Sequence, residues 1–294
     1  MQYVILFACL LMAVASSPVP GPKPKIVKHD GLFSTIIKNN KRVNQDNLFE
    51  GDIVLTGSSK NALKDKSKRW HNGVVPYVIH YKLNAFARSQ IQKAIDRYNA
   101  ETCIKWVART SESKYVKIVD KDRCSSYVGV IGGVQELSLG YGCYQTVGII
   151  MHEMMHAIGF YHEQSRTDRD SYVSIQWQNI EDGQEHNFKS YPSSYIDDLG
   201  VSYDYHSIMH YDADAFSKNG DATIIPKESG VTIGNRADFS SKDIEKINKY
   251  YECGCKDYRD DTYCGYWAGQ GYCSPSSIYY TFMTEKCRKS CSFC

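Results

Sequence analysis

The chain lacks an excess of charge of either sign: 35 Lys and Arg stand against 33 Asp and Glu over 294 residues, a formal +2. That balance gives no electrostatic argument for a nucleic-acid partner or for an anionic membrane surface. The sequence has no N-x-Ser/Thr acceptor, so N-glycosylation is not expected. It has no internal repeat, which sets solenoids and propellers aside. Past its first residues it has no apolar run near the ~20 needed to cross a bilayer, and no membrane span is expected.

What is present begins with "MQYVILFACLLMAVASS", an apolar run of roughly a dozen residues ending in Ala13-Val14-Ala15, the small-residue spacing of a signal-peptidase site. No Lys or Arg precedes the run, a departure from the usual pattern, and Pro18 and Pro20 end it too early for an anchor. Residues 1–15 read as a secretory signal. Of the 11 cysteines, Cys9 leaves with that signal and ten remain. In a secreted chain an even number favours disulfides over thiolate metal sites. Six crowd between Cys255 and Cys294 and four are spread upstream, which draws a domain boundary near Gly254.

After the signal, "SPVPGPKPKIVKHDG" is rich in Pro and Lys and is not expected to pack, and residues 16–60 read as a leader. Patterned sequence starts at "RWHNGVVPYVIHY", where Val74, Tyr77 and Ile79 suggest a strand. Ile91, Ala94, Ile95 and Tyr98 recur at helical spacing. "CIKWVART", "YVKIVD" and "SSYVGVIGG" read as strands and "QTVGIIMHEMMHAIG" as a helix. In "SSKDIEKINKYYECGC", Ser240 stands three residues before Asp243 in a capping-box-like start.

The chemistry concentrates in "HEMMHAIGFYHEQSRTDRD", residues 152–170. Residues four apart lie one turn apart on a helix, so His152 and His156 can present imidazoles to one ion. A straight continuation would put His162 roughly 15 Å along the axis from His152, so the chain must turn back. Gly159 sits where a left-handed residue would end the helix. Three neutral imidazoles leave an open position for water, the pattern of catalytic zinc. Glu153, in H-E-x-x-H, lies beside such a site without binding it and can take a proton from water and hand it to a leaving amine. Zinc lowers the pKa of a bound water towards ~7 and polarises a scissile carbonyl, so the combination points to amide hydrolysis.

All five defined positions of H-E-x-x-H-x-x-G-x-x-H are filled by His152, Glu153, His156, Gly159 and His162, the extended motif of metzincin metallopeptidases. With Phe160, Glu163, Arg166, Asp168 and Asp170, the stretch resembles the astacin family in particular. "YDYHSIMHYD" resembles that family's Met-turn, which implies Met209 as an apolar floor beneath the metal. The resemblance implies Tyr211 as a residue that can ligate zinc and swing away to stabilise the oxyanion, a task suited to a phenolic donor. It implies an α+β fold, a two-lobed catalytic domain over residues 61–254 with a twisted sheet and an active-site helix, and one Zn2+ per chain.

The same resemblance gives the leader a purpose. "FEGD" at 49–52 matches the family's F-x-G-D stretch, which implies Asp52 as a zinc ligand that holds the precursor inert. A trypsin-like protease would cut between Lys60 and Asn61, with Lys64 and Arg69 as competing positions, and the freed Asn61 amine would bury near Glu163. Sequence alone leaves the cysteine pairing open. Similarity implies Cys103–Cys253 and Cys124–Cys143. The segment 255–294 resembles the ShK toxin-like module, which implies Cys255–Cys294, Cys264–Cys287 and Cys273–Cys291. Channel-blocking members use a Lys-Tyr pair between the third and fourth cysteines. Here that interval carries Tyr279 and Tyr280 with no Lys until Lys286, so docking to a matrix or protein partner is the expected role, with a cap that only stabilises the domain as its alternative. The expected activity is that of a secreted endopeptidase acting on protein or peptide substrates. The competing reading is a catalytically silent binding protein that works through the C-terminal module. Loss of a ligand or of the glutamate would favour it, and none is lost.

Overall fold

The computed structural model describes residues 31–42, 48–55, 65–234, 237–254 and 261–292. The signal at 1–15, the Lys60–Asn61 junction and the Cys255–Cys294 pair lie outside the described residues.

A five-stranded sheet forms the upper lobe. In chain order its strands are β1 (Val74–Ile79), β2 (Lys105–Ala108), β3 (Tyr115–Val119), β4 (Cys124–Ser125) and β5 (Val134–Leu139), arranged β2-β1-β3-β5-β4. All pairings are parallel except β4 on β5, so the short β4 is an antiparallel edge. Parallel strands are stable when covered, and two mutually packed helices lie against this sheet. The first, α2 (Ala85–Glu101), starts where the Asn84 side chain accepts the Ala87 N–H at 2.9 Å. It buries Ala87, Ile91, Ala94, Ile95 and Tyr98. The Tyr98 hydroxyl crosses to the second helix, α3 (Val147–Ala157), and donates to the Met151 carbonyl at 2.7 Å.

Ten of the eleven residues of α3 are buried. A helix apolar all round belongs in an interior, and this one carries His152, Glu153 and His156 into it. Its last carbonyls, which have no partner within the helix, are taken by other parts of the chain. Trp70 Nε1 donates to Ala157 O at 2.8 Å, Tyr251 Oη to Ile158 O at 2.8 Å, and the Gly129 N–H to His156 O at 2.9 Å.

Below the cleft, regular structure thins to short 3₁₀ turns, the pair β6 (Val173–Ile175) and β7 (Ile224–Pro226), and α4 (Ser241–Tyr250). Ser240 and Asp243 make the reciprocal capping box at the start of α4. Disulfides join Cys103 with Cys253 and Cys124 with Cys143. In the tail, α5 (Asp261–Gly269) and α6 (Tyr280–Lys286) are linked by Cys264–Cys287, and Cys273–Cys291 closes beside them. Among the described residues, Cys264, Met283 and Cys287 form its buried apolar core. So small a core needs covalent help, and these disulfides indicate an oxidising, extracellular type of compartment. Among the described residues no helix is long and apolar enough to cross a membrane.

One expectation needs correction, and one element went unseen. "SSYVGVIGG" is not a strand past Ser125: Gly129 and Gly132 have φ of +67° and +102°, and the N–H groups of Gly129 and Val130 bond to His156 and Lys68 instead of a ladder. Past its Pro- and Lys-rich stretch, the leader carries a helix that the sequence reading did not pick out. Residues Leu32–Arg42 form α1, whose Leu32, Phe33, Ile36 and Ile37 are buried in the main core.

Candidate metal centre

The turn at Gly159 closes the site. Its φ of +116° reverses the chain after α3, with the Gly159 N–H on His156 O at 2.8 Å and the Phe160 N–H on Met155 O at 3.2 Å. His162 thereby returns to place its Nε2 3.3 Å from that of His152. Each imidazole is aimed by a hydrogen bond donated from its other nitrogen. His152 Nδ1 donates to Ile208 O at 2.8 Å, His156 Nδ1 to Phe160 O at 2.7 Å and His162 Nδ1 to Glu50 Oε2 at 2.7 Å. With Nδ1 donating, Nε2 is the nitrogen that each ring turns to the centre, the one a metal would take.

Asp52 faces the three rings from the leader. Its Oδ2 lies 3.0 Å from His152 Nε2 and 3.4 Å from His162 Nε2, and its Oδ1 lies 3.4 Å from His156 Nε2. One ligand atom from each of these four buried residues falls within 4.8 Å of the others. Asp52 Oδ1 and His156 Nε2 have no hydrogen-bond partner among the described residues. Buried polar atoms are rarely left so. A zinc ion fits this donor set: imidazole nitrogens with a carboxylate oxygen, converging in a closed interior.

The buried groups also shift one another's protonation. Burial alone would raise the Asp52 carboxyl and lower His162, but their mutual attraction wins: Asp52 is held well below the carboxylate range and His162 rises to about 9, helped by Glu50. Burial brings His152 down to about 4. Glu153 is fully buried and neither carboxylate oxygen has a hydrogen-bond partner among the described residues. Burial first, then the nearby Asp52 charge, push it well above its ordinary value.

Tyr211 stands at the edge of the cluster without joining it. Its hydroxyl donates to Glu50 O at 2.8 Å, and its ring stacks on Phe33 of α1 at 3.9 Å. Met209 is buried in the turn that carries the Ile208 carbonyl. Asp243 pins that turn, accepting Ser207 Oγ at 2.6 Å and the Ile208 N–H at 2.9 Å. Glu163, next to the third histidine, is buried against Lys246 Nζ at 2.6 Å and also accepts the Asp204 N–H at 2.8 Å.

The family described as Astacin (Peptidase family M12A) matches residues 62–252. This chain belongs to the astacin family. A second match, to the ShK domain-like family, covers residues 254–294. Among astacin relatives, zinc metalloproteinase nas-13 of Caenorhabditis elegans is 48% identical over 211 residues, covering 70% of this chain and 47% of the relative. Meprin A subunit beta of Mus musculus is 40% identical over 255 residues, covering 85% and 35%. The chain thus spans about half or less of the length of these relatives. High choriolytic enzyme 1, a hatching-enzyme zinc protease from the medaka Oryzias latipes, superposes with a TM-score of 0.59 at 41% identity, over 68% of this chain and 98% of that one.

Against the astacin motifs, the structure brings together Asp52, His152, His156 and His162, sets Glu153 among them and keeps Tyr211 and Met209 alongside. The Asn61 amine expected near Glu163 lies outside the described residues. Three participants escaped the sequence reading. Glu50 occupies the unspecified position of F-x-G-D. Phe33, 1% exposed, packs edge-on to His162 at 5.0 Å as well as on Tyr211. Lys246 meets Glu163 from 83 residues away. The apolar spacing of Leu32, Phe33, Ile36 and Ile37 was the available signal for α1; the other two contacts had none.

Proposed function

We propose that this chain is a secreted zinc-dependent endopeptidase made as a latent precursor, with residues 16–60 as pro-segment, 61–254 as catalytic domain and 255–294 as an ShK-like module that docks a matrix or protein partner. The observation that carries the reading is the buried convergence of His152, His156 and His162 beside Glu153, whose carboxylate has no hydrogen-bond partner among the described residues.

Zinc held by the three histidines supplies Lewis-acid polarisation of a peptide carbonyl and acidification of a water. Glu153 then accepts a proton from the attacking water and returns it to the leaving amine. The Tyr211 hydroxyl, once freed from Glu50 O, donates to the oxygen on which negative charge develops. A substrate strand adds by main-chain hydrogen bonds to the sheet edge. The leader supports this use of the edge: the Val54 N–H donates to Ser126 O at 2.8 Å and the Ser126 N–H to Asp52 O at 3.1 Å.

Asp52 holds the precursor silent from the centre of the site. A trypsin-like cut at Lys60/Asn61 releases it. Arg69 suits the cut less well, because its guanidinium is engaged by Glu252 at 2.9 Å and Trp70 beside it is buried. The freed amine enters the cavity lined by Tyr161, Glu163, Arg166, Leu199 and Lys246 and joins the Glu163 carboxylate.

The test is cleavage of an unstructured protein before and after limited trypsin treatment, with mass spectrometry of the new N-terminus and a chelator control. Chelator-sensitive cleavage that appears with Asn61 exposed is expected, as is its loss in Glu153→Ala. Processed, zinc-loaded protein that cuts nothing, or Glu153→Ala cutting as fast as wild type, refutes the proposal and brings forward the silent binding protein.

A further inference from the structure

The three histidines are aimed by different sources. His152 and His156 lean on the carbonyls of Ile208 and Phe160, parts of the catalytic domain that stay in place throughout. His162 leans on Glu50, which belongs to the leader. Glu50 is 1% exposed, and its second oxygen accepts Ser165 Oγ and Tyr191 Oη, both at 2.7 Å. Its backbone has φ +51°, left-handed and uncommon for a residue with a Cβ, and Gly51 follows at +89°. That tight turn lets two adjacent carboxylates of one segment reach opposite nitrogens of the same ring: Glu50 takes Nδ1 at 2.7 Å while Asp52 faces Nε2 at 3.4 Å.

We infer that Glu50 is a positioning residue for the metal in the precursor: it completes a carboxylate–histidine–zinc triad through His162 that activation dismantles. The inference rests on the zinc-peptidase reading above but is separate from the Asp52 latch, since Glu50 never reaches the metal side of the ring. A carboxylate behind an imidazole fixes its tautomer and raises its basicity, and loss of such a partner typically weakens metal binding about 10–100-fold. The precursor therefore holds zinc more firmly than the processed enzyme by a contribution that leaves with the leader.

The experiment compares zinc release from the full-length precursor into excess chromogenic chelator for wild type, Glu50→Gln and Tyr191→Phe. Tyr191→Phe removes one of the other hydrogen bonds to Glu50 and leaves His162 alone, so it controls for mere loosening of the leader. Glu50→Gln is expected to release zinc about tenfold faster and to alter the visible spectrum of the cobalt-substituted precursor. Tyr191→Phe should match wild type in both. After the leader is cut away, Glu50→Gln and wild type are the same polypeptide and should release zinc identically. Equal release from the Glu50→Gln and wild-type precursors overturns the inference, as does Tyr191→Phe behaving like Glu50→Gln. A wild-type precursor that binds no zinc sinks the peptidase reading beneath it.

Discussion

Replacing Gly159 with alanine tests whether the reversal after α3 builds the metal centre. At φ +116° the residue is in a region that side-chain-bearing residues avoid, and strain there costs about 1–3 kcal/mol. A Cβ would also meet Tyr250, at 2.9 Å from Cε1 and 3.1 Å from the hydroxyl. That ring is fully buried between Phe160 and Tyr251, at centroid distances of 5.4 and 5.2 Å, so it cannot swing aside freely. Overpacking of this kind adds about 1–3 kcal/mol. Together the two terms reach about 2–6 kcal/mol, which lowers Tm by about 4–24 °C for a domain of this size. The His156 ring should be displaced as well, because its Nδ1 bonds to the Phe160 carbonyl, one residue beyond the turn. Calorimetry and zinc content measure both effects. Gly132→Ala supplies the comparison: its φ is +102° but nothing lies within 4 Å of the added methyl, so it carries strain without collision. If Gly159→Ala melts at the wild-type temperature with its zinc intact, or if Gly132→Ala is just as damaging, the reasoning fails.

Other perturbations address separate links. Tyr211→Phe should keep zinc and substrate affinity while lowering kcat by about 10²–10³, the usual effect of losing an oxyanion donor, as steady-state kinetics on a fluorogenic peptide would show. A synthetic leader spanning residues 31–54 should inhibit the processed enzyme in trans. Its Asp52→Ala form should bind about 2–5 kcal/mol more weakly, the cost of truncating one side of a buried charged contact, and a titration of inhibition reads the difference. Lys246→Ala leaves Glu163 buried without its ammonium, at a cost of about 3–5 kcal/mol, and urea unfolding measures it. Retained stability would mean that Arg166 and the Asp204 N–H suffice for Glu163.

The parts of the fold that were legible were those governed by local rules. The α3 helix and its ligand pair follow from spacing along one turn, the reversal follows from a glycine, and α4 follows from a capping box. The stretch after Ser125 was misread because Val128, Val130 and Ile131 are β-branched residues that suit a strand, whereas the neighbouring glycines commit the backbone to bonds with α3 and the segment before β1. The leader helix was overlooked because its proline-rich neighbour dominated the composition, although Leu32, Phe33, Ile36 and Ile37 carry a helical stripe. Glu50 and Lys246 were illegible for another reason. Each is defined by a partner more than 80 residues away, and nothing in a local window says which carboxylate an ammonium or an imidazole will meet.

The Cys103–Cys253 bond also bears on how the molecule carries load. Cys253 stands just past α4, shortly before the tail, and Cys103 follows α2. A pull applied through the tail reaches that sulfur bridge before it reaches α4, and tension passes covalently to the sheet-bearing lobe. The capping box of α4, the buried Lys246 and the Met209 turn pinned by Asp243 are spared the force. Load on the tail therefore enters the domain beside α2 and not along α4.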